Sequence, residues 1–436
     1  MKHNNLFENF PPVSTDEWMA KINADLRGAD FREKLVWNSR EGFEVMPFYR
    51  EEDLKQLSHV DGLLPLILRS NTKESESTYP GLGAAQWLVR QDIRVNNYPE
   101  AGRKALDVLM KGIDSLGFII DDPETINEQN LSVLLDGIDP AGAEINFLSN
   151  GKAREIIASL KGILHQKGYN PSSLRGAVEA DPLGRLMANG TLCIPVKDGL
   201  DYLASLTRET AALPSYRILQ INGSRFTNSG CSAVQELAFS FSMAVEYLAQ
   251  LTDRGLTADD IASKIKFSFG AGTDYFMEIA KLRAARVIWD VIADSYQPRD
   301  KNSFRMEVHS VTKIWNDNVA DPYINMLRTQ TEAMSAILGG ADSLTVLPFD
   351  IAACPSDEFS ERMARNQQLI LKEEAWFGKV ADPAAGSYYI ENLTSLIADN
   401  AWKLFLEMEK AGGFLEALNS GFLKSRMENA ITGETL

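Results

Sequence analysis

Two kinds of hydrophobic pattern alternate along the chain from about residue 85 to residue 374. Short apolar runs are typical of buried strands, and longer stretches with apolar residues every three or four positions are typical of helices that cover a core. The predicted strands are Trp87–Ile93, Phe118–Asp121, Glu144–Leu148, Leu174–Val178, Ile218–Asn222, Lys266–Gly270, Arg305–Val311 and Ser343–Pro348. The predicted helices are Pro99–Leu116, Glu128–Gly137, Ala153–Gly168, Leu200–Ala211, Ser232–Leu251, Thr273–Ser295, Pro322–Leu338 and Asp357–Glu374.

Eight strand-then-helix units follow one another in this pattern. Their order predicts an α/β protein built as a (β/α)8 TIM barrel. An open doubly wound sheet is the alternative, because periodicity does not show whether a sheet closes. Two further helical stretches follow the eighth unit, so we interpret residues 80–436 as the barrel with C-terminal helices.

Residues 1–79 precede the alternating pattern and contain too few apolar residues to form a core of their own. A helical pattern runs through Trp18, and Asp53–Leu57 forms another short helical piece. Ser70–Pro80 is a polar linker that ends in proline. We interpret residues 1–79 as an N-terminal helical extension, which either wraps over the main domain or contacts a partner subunit.

Composition narrows the class of protein. The hydrophobic content of 44% is that of a globular chain, and the net charge of −16 argues against binding to nucleic acid or to a membrane surface. Three widely spaced cysteines make a disulfide framework or a zinc site improbable and fit a reducing compartment. The N-terminus does not resemble a signal peptide, and no apolar run reaches the roughly 18 residues that a membrane span needs. The expected location is the cytoplasm.

The stretch 216–230 suggests one wall of a ligand site, because an apolar run is followed by a small polar loop and then by a long amphipathic helix. Ligands of α/β barrels lie at the carboxyl ends of the strands. Arg90 and Asp92 occupy another strand end, where they form either a substrate clamp or a buried ion pair that fixes two strands. His309 lies in the seventh predicted strand and is either a hydrogen-bonded core residue or a catalytic base. No recognisable nucleophile–base pair is present.

The residues after the fifth predicted strand carry a resemblance to a known family. Gly230–Phe239 is similar to the corresponding segment of the cobalamin-dependent acyl-CoA mutases, and methylmalonyl-CoA mutase is the most similar of them. Further matches are Thr273–Arg286, Leu327–Ala333, Leu338–Leu344, Ala364–Glu374 and Asp382–Tyr389. The resemblance implies that this chain has the (β/α)8 barrel of that family. A shared fold alone does not establish a shared activity.

The fifth strand departs from the family pattern. In catalytic chains it resembles Phe-Asn-Ser-Ile-Ser-Ile-Ser-Gly-Tyr-His, and here Ile218, Gln220 and Asn222 replace the three serines. Alternate residues of a strand share a face, so the three changes should lie on one side. In the active family members, small inward residues leave an axial channel for the CoA chain. The larger residues therefore predict a filled barrel interior and no substrate-binding residues at these positions.

Two catalytic positions of the family are also changed. The active-site histidine aligns with Arg225, and a permanent cation does not reproduce a neutral imidazole. The active-site tyrosine of a Thr-Ile-Arg-Gln-Tyr pattern aligns with Asp92 in the run Leu88–Asp92. The resemblance therefore implies that no catalytic residue remains at these positions.

The cobalamin motif of the family is missing as well. Family members carry a C-terminal domain with an Asp-x-His-x-x-Gly motif whose histidine ligates cobalt, and no Asp-x-His occurs in this sequence. We expect no metal ligand and no cofactor on this chain, with adenosylcobalamin bound by a partner. The chain is then either a shortened form of a longer protein or a naturally short one.

Together these observations predict the non-catalytic small subunit of a heterodimeric mutase, which stabilises a catalytic large subunit and acts in acyl-CoA and propionate metabolism. The complex would interconvert methylmalonyl-CoA and succinyl-CoA, and the isolated chain could form a homodimer. The alternative is an active or ligand-binding acyl-CoA barrel with an altered site around Arg90, Asp92, Arg225 and His309. A third class is a regulatory barrel in which Arg225 captures an anion.

Overall fold

A computed structural model describes residues 12–57, 87–314, 321–353 and 357–431 of the chain. Its main sheet is parallel and contains eight strands, of which the fifth is formed by two pieces. The strands are β1 (Leu88–Arg94), β2 (Ser115–Ile120), β3 (Glu144–Ser149), β4 (Gly176–Val178), β5 (Tyr216–Arg217 and Leu219–Asn222), β6 (Ile265–Ala271), β7 (Val308–Thr312) and β8 (Ser343–Thr345).

The sheet closes on itself. β1 pairs with both β2 and β8, and each remaining strand pairs with its neighbours in chain order. The first piece of β5 pairs with β4, and the second piece pairs with β6. Because the two pieces are separated only by Ile218, they complete the circle of strands. The predicted (β/α)8 barrel is therefore confirmed, and the alternative of an open doubly wound sheet is wrong.

A β-bulge interrupts the fifth strand. The amides of Ile218 and Leu219 both donate to the carbonyl oxygen of Lys264, each at 3.1 Å. Two residues thus oppose one, which breaks the regular alternation of side chains. After the bulge, Gln220 lies beside Lys266 in register. The sequence argument assumed an unbroken alternation through this strand, and the bulge means that the face of Ile218 does not follow from that of Gln220.

The helices surround the barrel, and the predicted helical units are present with shifted ends. The prediction joined residues 99–116 into one helix, but the helix ends at Met110, because Gly112 has a left-handed φ of +92° and Leu116 belongs to β2. The α-helices are α1 (Thr15–Asp25), α2 (Phe31–Leu35), α3 (Glu51–Leu54), α4 (Tyr98–Met110), α5 (Glu128–Leu134), α6 (Ala153–Lys167), α7 (Pro182–Asn189), α8 (Val196–Glu209), α9 (Ser224–Asn228), α10 (Ala233–Thr252), α11 (Ala258–Ala262), α12 (Tyr275–Tyr296), α13 (Ile324–Leu338), α14 (Glu358–Leu369), α15 (Tyr388–Lys410), α16 (Gly413–Asn419) and α17 (Phe422–Ile431).

Short irregular helices complete the barrel. The predicted helix over residues 357–374 continues beyond α14 as a π-helix at Ile370–Glu374. The 3-10 segments are Pro123–Thr125, Pro171–Ser173, Lys301–Phe304 and Phe377–Lys379. Across the described ranges, no helix combines the length and the apolar character that crossing a bilayer requires.

The main core lies between the outer face of the sheet and the helices. Phe267 of β6 packs edge to face on Trp289 of α12, with ring centroids 5.0 Å apart, and Phe241 of α10 stacks on the same indole at 6.1 Å. Aromatic packing of this kind adds to the free energy gained from burial. The inner face of the sheet is left to a different set of side chains.

Residues 12–57 form α1, α2, α3 and a small antiparallel hairpin of Trp37–Asn38 with Glu44–Val45. Glu41 at the turn accepts hydrogen bonds from the amides of Ala233 and Val234 at 3.1 and 2.9 Å, which caps the N-terminus of α10. The predicted helical piece at residues 53–57 begins two residues earlier and ends three residues earlier, since its helix is α3. The predicted linker Ser70–Pro80 falls outside the described residues.

Candidate functional site

The inner face of the barrel is polar. Lys266 of β6 and Glu144 of β3 meet at 2.6 Å although their strands are not neighbours in the sheet, so both side chains project into the interior. Residues in register with them on adjacent parallel strands share that face. The residues that register places on this face include Arg90, Asp92, Ser115, Gly117, Glu144, Asn146, Gln220, Asn222, Lys266, Ser268, His309, Ser343 and Thr345, and the apolar Leu88, Ala177 and Val311 lie on the same face.

The Lys266–Glu144 ion pair crosses the barrel. In the circle of eight strands, β3 and β6 are separated by two strands on one side and by four on the other. Both side chains are fully buried, and Glu307 lies 3.0 Å from the same ammonium group. Burial by itself raises the pKa of Glu144, but the Lys266 ammonium outweighs it and lowers the pKa to about 2. A pair of opposite charges therefore occupies the interior at this level.

Arg90 and Asp92 form an ion pair within β1, with the Arg90 Nε 2.7 Å from the Asp92 Oδ1. The Arg90 side chain is 1% exposed and the Asp92 side chain is 19% exposed. The pair lies directly over Gly117 of β2, since a Cβ at that glycine would stand 1.9 Å from the Asp92 carboxylate. The two side chains therefore form an ion pair with each other. The pair lies within one strand and does not join two strands.

His309 is buried among hydroxyl groups. Its Nδ1 lies 2.9 Å from the Ser343 Oγ, and its Nε2 lies 3.5 Å from the Thr345 Oγ1. Burial lowers the pKa of His309 well below the usual value, and the nearby positive charges of Arg90 and Lys266 lower it further. The imidazole is therefore neutral at physiological pH, and its two nitrogens face side chains of the barrel itself.

Arg225 lies in α9, just beyond the carboxyl end of β5, and not on a strand. Its Nη2 is 2.8 Å from the Glu179 Oε1, and Glu179 follows β4. Burial raises the pKa of Glu179, and the Arg225 charge opposes this rise. An anionic ligand at Arg225 would have to compete with this carboxylate for the guanidinium group.

Gln220 and Asn222, two other substituted positions of β5, lie at different levels of the barrel interior. Gln220 is 3% exposed and lies beside Lys266. Asn222 lies beside Ser268, and its Oδ1 accepts a hydrogen bond of 2.7 Å from the Ser224 hydroxyl. Register therefore directs both Gln220 and Asn222 into the interior.

Sequence reasoning missed the charged residues near the amino ends of the barrel strands. Glu307 precedes β7 and binds both Lys266 and Arg217, with a distance of 2.9 Å to the Arg217 Nε. A lysine inside an otherwise apolar strand was the available signal, because an unpaired charge is rarely buried. Its partner Glu144 could not be found from the sequence, since the two residues are far apart in the chain.

The described residues offer no imidazole suited to a cobalt ion. His309 is enclosed by Ser343 and Thr345, and His165 is exposed in the last turn of α6. Among the described residues, no group of three or more histidine, cysteine or acidic side chains is arranged to hold a metal ion. The residues in these ranges therefore do not fit the role of the histidine that ligates cobalt in family members.

Comparisons with known proteins agree with the fold. The family model of methylmalonyl-CoA mutase matches residues 125–435. The methylmalonyl-CoA mutase small subunit of Porphyromonas gingivalis is 44% identical over 96% of this chain and 66% of its own length. The methylmalonyl-CoA mutase of Escherichia coli is 30% identical over 97% of this chain and 62% of its length, and the mitochondrial enzyme of Homo sapiens is 30% identical over 94% and 57%.

The chain therefore belongs to the methylmalonyl-CoA mutase family. It spans between 57% and 66% of the length of these three relatives.

Proposed function

We propose that this chain is the non-catalytic small subunit of a heterodimeric methylmalonyl-CoA mutase. The assembled enzyme would interconvert methylmalonyl-CoA and succinyl-CoA, and this chain would stabilise the catalytic large subunit by packing against it. The name of the Porphyromonas gingivalis relative, which contains the words small subunit, supports the proposal. The residues Asp92 and Arg225 at the two changed catalytic positions support it as well.

The observation that carries the proposal is the Lys266–Glu144 ion pair across the barrel. A CoA chain threaded along the axis would have to separate two fully buried charges, and leaving such charges unpaired costs about 3–5 kcal/mol. Gln220 lies on the same face beside Lys266 and is larger than the serine of catalytic chains. The interior therefore favours a packed scaffold over a substrate channel.

In this proposal the partner subunit binds adenosylcobalamin. The cofactor supplies the radical chemistry of the rearrangement when it is bound. The enclosed position of His309, with hydroxyl groups near both ring nitrogens, supports its assignment to the partner. The contribution of this chain is then mechanical, since its surface holds the catalytic barrel in its folded and active form.

The domain assignment is part of the proposal. We infer that residues 1–79 are a subunit-contact extension and that residues 80–436 are the barrel with its C-terminal helices. Glu41 and Tyr49 attach the extension to the body of the same chain, while Trp18 and Trp37 remain 46% and 43% exposed. Large exposed indole groups are favourable contacts for a partner protein.

A cytoplasmic location completes the proposal. The described cysteines, Cys193 and Cys231, are both free thiols. Free thiols are typical of proteins that work in a reducing compartment.

Reconstitution tests the proposed function. The chain is purified alone and together with a catalytic large subunit, and mutase activity is measured with methylmalonyl-CoA and added adenosylcobalamin. We expect no turnover by the isolated chain, full turnover by the pair, and a longer half-life of activity at raised temperature for the pair than for the large subunit alone. Turnover by the isolated chain would contradict the scaffold proposal.

A matched variant sharpens this test. The double substitution Lys266→Met with Glu144→Gln removes the central ion pair, and its folding is checked by circular dichroism. If the chain acts only as a scaffold, a folded double variant should support the large subunit as well as the unsubstituted chain does. A loss of turnover in a complex that still assembles normally would point to a chemical role for the barrel interior.

The second candidate function is an acyl-CoA barrel with an altered site around Arg90, Asp92, Arg225 and His309. One observation favours it, since Arg90 and Asp92 border an open cleft at the carboxyl end of β1. Calorimetry of the isolated chain with methylmalonyl-CoA and with free CoA distinguishes the two functions. If the chain binds the thioester and Asp92→Asn abolishes this binding, the altered site is favoured. If the chain does not bind the thioester, the scaffold is favoured.

A further inference from the structure

A cleft of about 770 Å³ opens between two neighbouring barrel strands at their carboxyl ends. It lies where β8 ends at Thr345 while β1 continues as far as Arg94. The helices α4 and α14 contribute Lys104 and Arg365 to its lining, and the loop after β8 contributes apolar residues. The volume is that of a small-molecule pocket, which typically measures about 300–1,000 Å³.

Positive charge is concentrated in this cleft, although the whole chain carries a net charge of −16. Two carboxylates, Asp92 and Glu361, line the cleft, and each forms an ion pair. Asp92 pairs with Arg90, and Glu361 pairs with Lys104 at 2.6 Å. The four lining cations are Arg90, Arg94, Lys104 and Arg365. Arg94 pairs with Asp121 outside the lining, so Arg365 is the one lining cation that is left without an ion pair among the described residues.

Arg365 is the cation of the lining for which no carboxylate partner is found. It is 6% exposed, and among the described residues no carboxylate oxygen lies within 4.0 Å of its guanidinium nitrogens. Its Nη1 donates to the Gln91 Oε1 at 3.0 Å, and the Gln91 amide donates in turn to Glu361 at 3.1 Å. Burial is the main reason that the pKa of Arg365 is lowered. The more distant carboxylates of Asp107, Glu361 and Glu358 oppose this shift, but none of them contacts the guanidinium group directly, so an anion bound there would add a direct partner.

Arg90 provides an independent observation at the same cleft. Its side chain is 1% exposed, and its Nη1 is buried without a hydrogen-bond partner among the described residues. Its Nε is engaged by Asp92. Buried nitrogen atoms of this kind are nearly always satisfied in folded proteins, so an orphaned one points to a ligand or to ordered water.

One part of the lining, the apolar wall, comes from the loop after β8. It includes Val346, Leu347, Pro348 and Ile351, and Ile351 is 40% exposed. Ala352 and Ala353 next to it are also exposed. A ligand with only a charged group would leave this wall in contact with water, whereas a short aliphatic portion would cover it. Burial of aliphatic surface contributes roughly 25 cal/mol per Å².

We propose that this cleft binds a small organic oxyanion, a carboxylate or a phosphate monoester, with its charged group at Arg365 and its aliphatic part on the loop after β8. Guanidinium groups bind both kinds of oxyanion through paired N–H donors. The site involves only residues of this chain and does not depend on the role of the chain in a mutase.

Calorimetry of the full-length chain tests the site with three probes of equal chain length. Hexanoate and monohexyl phosphate present the two oxyanions, and hexanol lacks the charge. We expect at least one anion to bind and hexanol not to bind, and the anion that binds more tightly identifies the chemistry of the natural ligand. Equal responses to all three probes, or binding of none of them, would overturn the proposal.

Three variants locate the binding. Arg365→Gln should weaken binding of the anion at least tenfold, which corresponds to about 1.4 kcal/mol. Ala352→Trp should block the apolar wall and reduce binding of hexyl phosphate or hexanoate, and because Ala352 is exposed this variant leaves the core intact. The matched control is Arg225→Gln, which removes an arginine paired with Glu179 and outside the cleft lining.

The affinities of the three variants together show where the anion binds. Unchanged affinity in Arg365→Gln and Ala352→Trp, with loss in Arg225→Gln, would place the anion site at Arg225 in α9 and contradict the assignment to this cleft. Circular dichroism and the thermal midpoint of each variant show whether it is folded. If Arg365→Gln does not fold, Ala352→Trp decides by itself.

Discussion

At the scale of single residues, the inner face of this barrel depends on charges that have partners. Lys266 and Glu144 are fully buried, and each would be strongly unfavourable alone. Burying an ion pair contributes little net stability compared with apolar residues of similar size, but breaking one leaves an uncompensated charge. The direction and size of a substitution effect therefore depend on whether one partner or both are changed.

Lys266→Met should be strongly destabilising, by about 3–5 kcal/mol, because it leaves Glu144 and Glu307 without their shared cation. The double variant Lys266→Met with Glu144→Gln should recover part of this loss. Urea unfolding followed by circular dichroism measures both. A double variant that is no more stable than Lys266→Met would contradict the argument that the single change leaves an uncompensated carboxylate.

Gly117→Ala should also be destabilising, by about 1–3 kcal/mol, because a Cβ there would stand 1.9 Å from the Asp92 carboxylate and 2.7 Å from the Arg90 Nη2. The control is Gly162→Ala in α6, where the nearest atom to a new Cβ is 3.9 Å away. That change should be neutral or slightly stabilising, since alanine favours a helix. Thermal unfolding of the two variants side by side gives the comparison, and equal midpoints would contradict the packing argument at Gly117.

At the scale of elements, the N-terminal hairpin and α10 are joined by one carboxylate. Glu41 accepts from the amides of Ala233 and Val234, which are among the unsatisfied donors of the first turn. A negative charge at this end of a helix is favoured by its dipole as well. Residues 12–57 are thus attached to the body at a helix terminus as well as through the ring contact of Tyr49 with Tyr389.

Glu41→Ala should reduce stability by about 1 kcal/mol and make the hairpin easier to cleave, because the two amides lose their acceptors. Limited proteolysis with mass analysis of the fragments measures the second effect. Glu33→Ala, at an exposed position of α2, is the matched control. Cleavage that is equally fast in the wild type and in Glu41→Ala would mean that other contacts hold the extension.

At the scale of the whole molecule, the buried carboxylates set the response to acid. Burial raises the pKa of Glu144 and of Glu307, but the Lys266 charge lowers both, and the pKa of Glu144 falls to about 2 from an ordinary value of 4.5. A group whose pKa is lower in the folded state gives stability above its unfolded value. That stability is lost as the pH falls from 4.5 towards 2.

The free energy of unfolding should therefore decline steeply between pH 4.5 and pH 2. Urea titrations at steps of pH from 6 to 2.5 follow the decline. The double variant Lys266→Met with Glu144→Gln lacks the titrating pair, so its curve over the same range should be shallower. Parallel curves for the two proteins would show that the acid response arises elsewhere.

The fold was predictable because periodicity reports burial on the outer face of each strand and on one face of each helix. The eight strands were located in this way, and errors arose at element ends, as at Leu116, where a left-handed Gly112 separates helix from strand. The candidate site was only partly predictable. Strand alternation directed attention to Gln220 and Asn222, but the bulge at Ile218 depends on a hydrogen bond to Lys264 and left no local signal.

The sequence by itself determined the order of elements, the family and the identity of the changed residues in β1 and β5. These follow from local patterns, which each segment carries independently of its neighbours in space. Only the tertiary structure decided that Lys266 meets Glu144, that Arg225 meets Glu179 and that Arg365 lies buried with no carboxylate of the described residues in direct contact. The physical reason is that charge pairing depends on distances of a few ångströms between strands and helices, and closure of the barrel alone fixes those distances.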